Sequence, residues 1–132
     1  MTLKIRGLDH LVLRVRDAEA MERFYVEVLG LTVERRQPQV GLVQLRAGAQ
    51  LVDLVAVDSL LGRMGGAGPG PEGRNLDHFC LNVEDFDLAA VEAHLRAHGV
   101  AVGDSGIRYG AGGQGVSLYL TDPEGNGLEL RG

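Results

Sequence analysis

The chain contains one cysteine, Cys80, so no internal disulfide is available and the fold must stand on packing alone. No apolar run approaches the roughly 18 residues that a membrane-spanning helix needs. The N-terminal stretch "MTLKIRGLDH" also lacks the long apolar core of a secretion signal, so a cytoplasmic protein is expected. Positive charge is short as well. Against 18 Asp and Glu there are 13 Lys and Arg, a formal net charge of −5, and nothing in that balance attracts phosphates over a wide face. Nucleic acid and membrane are therefore not expected as partners; a small molecule, or protein, is.

What is present suffices for one globular domain. The 132 residues are 45% hydrophobic, enough to build a core, and a single domain spanning 1–132 is expected. Within it the chain repeats itself: "LDHLVLRVRD" at 8–17 returns as "LDHFCLNVED" at 76–85, with His10 and His78 separated by 68 residues (78 − 10). Self-similarity at that separation indicates duplication. In the first copy Leu11, Leu13 and Val15 alternate with His10, Val12 and Arg14, the period of a strand with one face on a core and the histidine on the other. Asp17 then offers a cap to a helix bearing Met21, Phe24, Tyr25 and Val28 at helical spacing, closed by Gly30. In the second copy Phe79, Leu81 and Val83 form the core face, Asp85 or Asp87 offers the cap, Leu88, Val91 and Leu95 make the stripe, and Gly99 closes the helix.

Three strand-like runs follow each helix: "LTVERR", "GLVQLRAG" and "QLVDLVAV", then "VAVGD", "GVSLYLTD" and "NGLELRG". Two β-α-β-β-β modules, at about 7–58 and 75–132, are expected in an α+β fold. Between them "DSLLGRMGGAGPGPEGRN" concentrates six glycines with Pro69 and Pro71, a composition read as a flexible linker or lid. A second glycine-rich run, "YGAGGQG", lacks the Lys-Ser/Thr and the following helix of a phosphate-binding loop. "DPEGN" at 122–126 reads as a hairpin turn.

Strand parity also places carboxylates. Asp53 lies between Val52 and Leu54, and Glu129 between Leu128 and Leu130, so each acid points away from the core face of its strand. Each half thus contributes one strand histidine and one strand carboxylate: His10 with Asp53, His78 with Glu129. Two imidazoles and two carboxylates suit a divalent transition metal (nickel, zinc, manganese, iron or cobalt) and leave positions open for substrate.

The paired "LDHLVLRVRD" and "LDHFCLNVED" segments, with "SLYLTDPEGNGLEL" near the end, resemble the vicinal oxygen chelate superfamily, which includes glyoxalase I, fosfomycin- and bleomycin-resistance proteins and extradiol dioxygenases. The resemblance runs along almost the whole chain and fails only in the linker. It implies two modules forming a cup-shaped mixed sheet, with helices on the outer face, around a divalent metal. It also implies ligation by His10, His78 and Glu129. Similarity to bacterial glyoxalase I adds a fourth ligand at Asp53, where that pattern usually has Glu, a side chain longer by one C–C bond of about 1.5 Å.

The implied activity is that of a metal-dependent lyase or isomerase of the glyoxalase type. In it the metal holds two neighbouring substrate oxygens and stabilises an enediolate while Glu129, or second Asp53, moves the proton. A fosfomycin-type transferase or hydrolase, an extradiol-type dioxygenase and a non-catalytic drug-binding protein are the alternatives. Arg108 and Tyr109 offer a grip on an anionic substrate, and Gln44 shares a strand face with Leu42 and Arg46 from which it can reach one. Cys80 shares parity with His78 and reads first as a small buried hydrophobe. His94 and His98, four apart on the second helix, read as an exposed helix face, and Phe24 and Tyr25 as core. The family resemblance implies a homodimer.

Overall fold

The computed structural model describes residues 1–132 as two compact units, Met1–Gly68 and Pro69–Gly132. The first runs β1 (His10–Val15), α1 (Ala18–Arg23), β2 (Thr32–Gln37), β3 (Leu42–Ala47) and β4 (Gln50–Ala56). The second runs β5 (Phe79–Asn82), α2 (Leu88–Ala97), β6 (Ser105–Gly110), β7 (Gly113–Thr121) and β8 (Gly127–Arg131). Each is a β-α-β-β-β module with one mixed four-stranded sheet, ordered β1-β4-β3-β2 and β5-β8-β7-β6. The opening strand pairs parallel with the last strand, and the other pairs are antiparallel. This is the α+β duplication expected from the sequence.

In both modules the helix covers one face. Leu13, Val15, Leu45, Val52 and Leu54 are buried with Met21, Phe24 and Tyr25 of the first helical segment. Leu118, Leu120, Leu128 and Leu130 are buried in the second unit with Leu95 of α2. The helix starts follow the sequence: Asp17 accepts from Ala20 N at 3.0 Å and Asp87 from Ala90 N at 2.8 Å. Asp85 takes no cap role and instead adopts a left-handed φ of 50°. After Arg23 the first helix widens into a π-helical turn, Phe24–Val28, marked by Leu29 N donating to Phe24 O at 3.3 Å. The wider turn buries Phe24 and Tyr25 together, edge to face at 5.2 Å.

Two expectations change. "VAVGD" is not a strand: Val100 N closes the helix by donating to Leu95 O, and pairing with β7 begins in earnest at Ser105. The third strand of that module instead reaches into the glycine run, where Gly110 pairs with Gly113 to close the hairpin. The segment between the modules also holds more order than its composition suggested. Gly62–Gly65 forms a 3-10 turn, and the Arg14 guanidinium donates to the carbonyls of Gly62, Gly66 and Ala67 at 2.6–3.0 Å. A side chain far back in β1 thus ties down a segment whose own residues give no sign of it. No helix is long and apolar enough to cross a membrane.

Leu54 and Leu128 have no exposed surface. Truncating either to alanine is expected to cost about 2–5 kcal/mol by chemical denaturation. Ile107→Ala, at an exposed site, should stay within about 0.5 kcal/mol.

Candidate functional site

The parallel pairing decides where the polar groups fall. In the first module Val12 stands opposite Asp53, so the acid sits two residues beyond the level of His10. In the second Cys80 stands opposite Glu129, again two residues beyond the histidine. Strand alternation therefore puts each imidazole and its carboxylate on the sheet face away from the helix. On the antiparallel side Gln44 neighbours Asp53 and Tyr119 neighbours Glu129.

The second module shows the pair in contact: His78 Nε2 lies 3.3 Å from Glu129 Oε1, and His78 Nδ1 lies 2.5 Å from Asp77 Oδ2. Gly127 makes room for this. A Cβ there would come within 2.8 Å of the Asp77 carbonyl oxygen and 3.1 Å of His78 Cβ, so glycine lets β8 begin against the histidine. Glu129 is only 6% exposed, and burial pushes its carboxyl upward. Hydrogen bonds from Ser117, Tyr119 and Cys80, with the nearby His78, outweigh that and hold it below the usual carboxylate range. The Ser117 hydroxyl donates to Oε2 at 2.6 Å. His78 is raised above the ordinary imidazole range, first by its hydrogen bond to Asp77, against some desolvation, then by the charges of Asp77 and Glu129.

The first module repeats the arrangement more sparely. His10 Nδ1 lies 2.7 Å from Asp9 Oδ1, and that bond, more than the weaker pull of the Asp53 charge, raises its pKa despite some desolvation. Asp53 is 4% exposed and is held by the Gln44 amide, which donates at 3.2 and 3.4 Å to its two oxygens. A buried carboxylate held by one neutral amide is costly unless a cation joins it.

The remaining candidates divide. Arg108 lies on the polar face of its sheet with its guanidinium 5.6 Å from the centre of the Tyr119 ring, which in turn meets His78 edge-on at 5.8 Å. Tyr109 is the next residue of β6, so it points to the other face, and it is 80% exposed. Cys80 is exposed rather than buried, a correction to its reading as a small core hydrophobe: its strand parity turns it towards Glu129. Lack of favourable solvation, then the Glu129 charge, pushes its thiol up to about 11. His94 and His98 are exposed on α2 with ring centres 4.5 Å apart. Neither unit gathers three or more His, Cys, Asp or Glu side chains into a metal-holding group; each offers an imidazole–carboxylate pair.

Sequence reasoning missed Ser117 and Tyr119, although their alternation with Val116, Leu118 and Leu120 in β7 would have marked them as sharing the Glu129 face. It also passed over Asp9 and Asp77, present in both copies of the repeat.

A duplicated β-α-β-β-β fold with one histidine and one buried acid on the open face of each sheet defines a glyoxalase-like protein. The chain belongs to the Glyoxalase/Bleomycin resistance protein/Dioxygenase superfamily, whose model matches residues 7–130. It is 32% identical over 129 residues to the glyoxalase domain-containing protein RDO1 of Mycosarcoma maydis, covering 97% of this chain and 69% of that protein. It is 30% identical over 128 residues to virulence protein STM3117 of Salmonella typhimurium, covering 96% of this chain and 83% of that one. The crystal structure of STM3117 aligns with a TM-score of 0.81 at 26% identity over 98% of both chains. Lactoylglutathione lyase from Agrobacterium tumefaciens shares the fold at a TM-score of 0.71 and 23% identity, over 96% of this chain and 93% of that one.

Two outcomes check the site. Ser117→Ala removes a donor to a buried carboxylate, so the Glu129 titration followed by NMR should move up. Because a lowered folded pKa stabilises above the ordinary Glu value of about 4.3 and is lost as pH falls through the folded value, acid unfolding of the variant should begin at higher pH. Cys80 should react with a thiol reagent far more slowly than free cysteine at neutral pH, accelerating only towards a pH of about 11.

Proposed function

We propose that this protein is a divalent-metal-dependent lyase or isomerase of the glyoxalase type, acting on a small molecule that carries two neighbouring oxygens. The observation that carries the reading is the matched pair: in both modules a histidine is followed, at the same step across a parallel strand pair, by a buried acid. The donor set suits a borderline metal such as zinc, nickel, manganese, iron or cobalt. The 3.3 Å between His78 Nε2 and Glu129 Oε1 is short enough for both atoms to reach one ion at bonds of about 2.0–2.2 Å.

His10, Asp53, His78 and Glu129 are the proposed ligands. A bound ion supplies Lewis acidity to the two substrate oxygens. The chain's own groups do the rest. Glu129, gripped by Ser117 and Tyr119, stays ionised and in place, which suits a fixed ligand. Asp53, resting on the longer Gln44 bonds, is freer to take a proton from one carbon of the substrate and return it to the next. The proposal thus takes Asp53 ahead of Glu129 as the base, the reverse of the order expected from the sequence. Arg108, half-buried beside Tyr119 on the Glu129 face, is the proposed anchor for an anionic substrate group. Gln44 and Tyr109 are weaker proposals: Gln44 is engaged by Asp53, and Tyr109 turns to the opposite face.

A cytoplasmic homodimer is the proposed assembly, supported by exposed Leu60, Leu61 and Met64 in one short segment; sedimentation giving only monomer would oppose it. The metal reading is tested by elemental analysis of untagged, chelator-free protein. Near-stoichiometric metal in wild type, lost in His78→Ala and in Glu129→Ala, is expected, with turnover of an α-oxoaldehyde–thiol adduct restored to stripped protein by metal. Absence of metal even after reconstitution would discard the catalytic reading in favour of a binding protein.

A further inference from the structure

We propose that Asp9 and Asp77 are positioning residues: each accepts the Nδ1 proton of the histidine that follows it, and so presents that histidine's Nε2 lone pair to the polar face of its sheet. Neighbouring side chains on a strand point to opposite faces and do not meet. These two pairs meet because Asp9 precedes β1, which starts at His10, and Asp77 precedes β5, which starts at Phe79. The backbone there is outside the pleat, and the carboxylate folds back to the ring at 2.7 Å in the first module and 2.5 Å in the second.

Both carboxylates are open to water, their side chains 91% and 96% exposed. Long-range charge attraction in that setting is weak. Adjacency in the chain is what makes the contact cheap, since few torsions must be fixed to form it. An ionised carboxylate can only accept, so an imidazole bonded to it through Nδ1 carries its proton there when neutral. In the second module Glu129 also faces the other ring nitrogen, at 3.3 Å, and the shorter Asp77 contact of 2.5 Å decides between the two. The same device, built twice from Asp-His, accounts for the part of the repeated Leu-Asp-His that neither core packing nor ligation requires.

The consequence for metal affinity rests on the proposed function; the orientation of the rings does not. The test uses the full-length 15N-labelled protein with Asp9→Ala, Asp77→Ala and Asp77→Asn, at a pH where the imidazoles are neutral. In wild type, long-range proton–nitrogen spectra should show Nδ1 protonated and Nε2 bare on His10 and His78. Each alanine variant should mix the tautomers of its own histidine only, with the amide spectrum retained, and Asp77→Asn, which keeps an acceptor oxygen, should recover part of the wild-type pattern. Zinc alone, titrated into the same samples, should bind about 10–100-fold more weakly to the alanine variants. Tautomers unchanged in the alanine variants overturn the positioning role, as does altered tautomerism with zinc affinity intact. If wild type binds no zinc, the metal reading falls while the spectra still decide the orientation.

Discussion

The polar faces depend on one constraint, the parallel pairing of the first and last strand of each module. In an antiparallel meander alone, the opening histidine would have no fixed relation to the acid of the closing strand. The crossover through a helix brings β1 beside β4 and β5 beside β8, and the helix that makes the crossover covers one face and leaves the other for chemistry. Because side chains alternate with a period of two, a slip of one residue in either pairing would send the acid into the core and a leucine out. Leu13 with Leu54, and Leu81 with Leu130, hold that register from the other face.

The modules share this frame and differ in what surrounds the acid. Around Glu129 stand Cys80, Ser117 and Tyr119; around Asp53 the corresponding places are taken by Val12, Leu42 and Gln44, judged by strand register. One acid is gripped by three donors and the other by one amide. Duplication supplied two matched frames, and divergence left the acid of one held by more donors than the acid of the other.

Much of this was legible in the chain. The period-2 pattern around His10 and His78, the caps at Asp17 and Gly30, and the parity of Asp53 and Glu129 are local properties, and local properties can be read from neighbours in sequence. What was not legible is non-local or depends on exact strand limits. Arg14 grips carbonyls some fifty residues away. Arg108 and Tyr109 read as neighbours in a loop until β6 is seen to extend through them and turn them to opposite faces. "VAVGD" has the composition of a strand, but the hydrogen bonds that end α2 claim its first residue.

The central claim is that the duplicated histidine–carboxylate pairs hold a divalent metal. X-ray absorption on the zinc-loaded full-length protein, read together with metal stoichiometry, tests it most directly. Zinc held by imidazole nitrogen and carboxylate oxygen, with bonds of about 2.0–2.2 Å, is the predicted result. Protein that takes up no zinc, or zinc with no imidazole ligand, would contradict it.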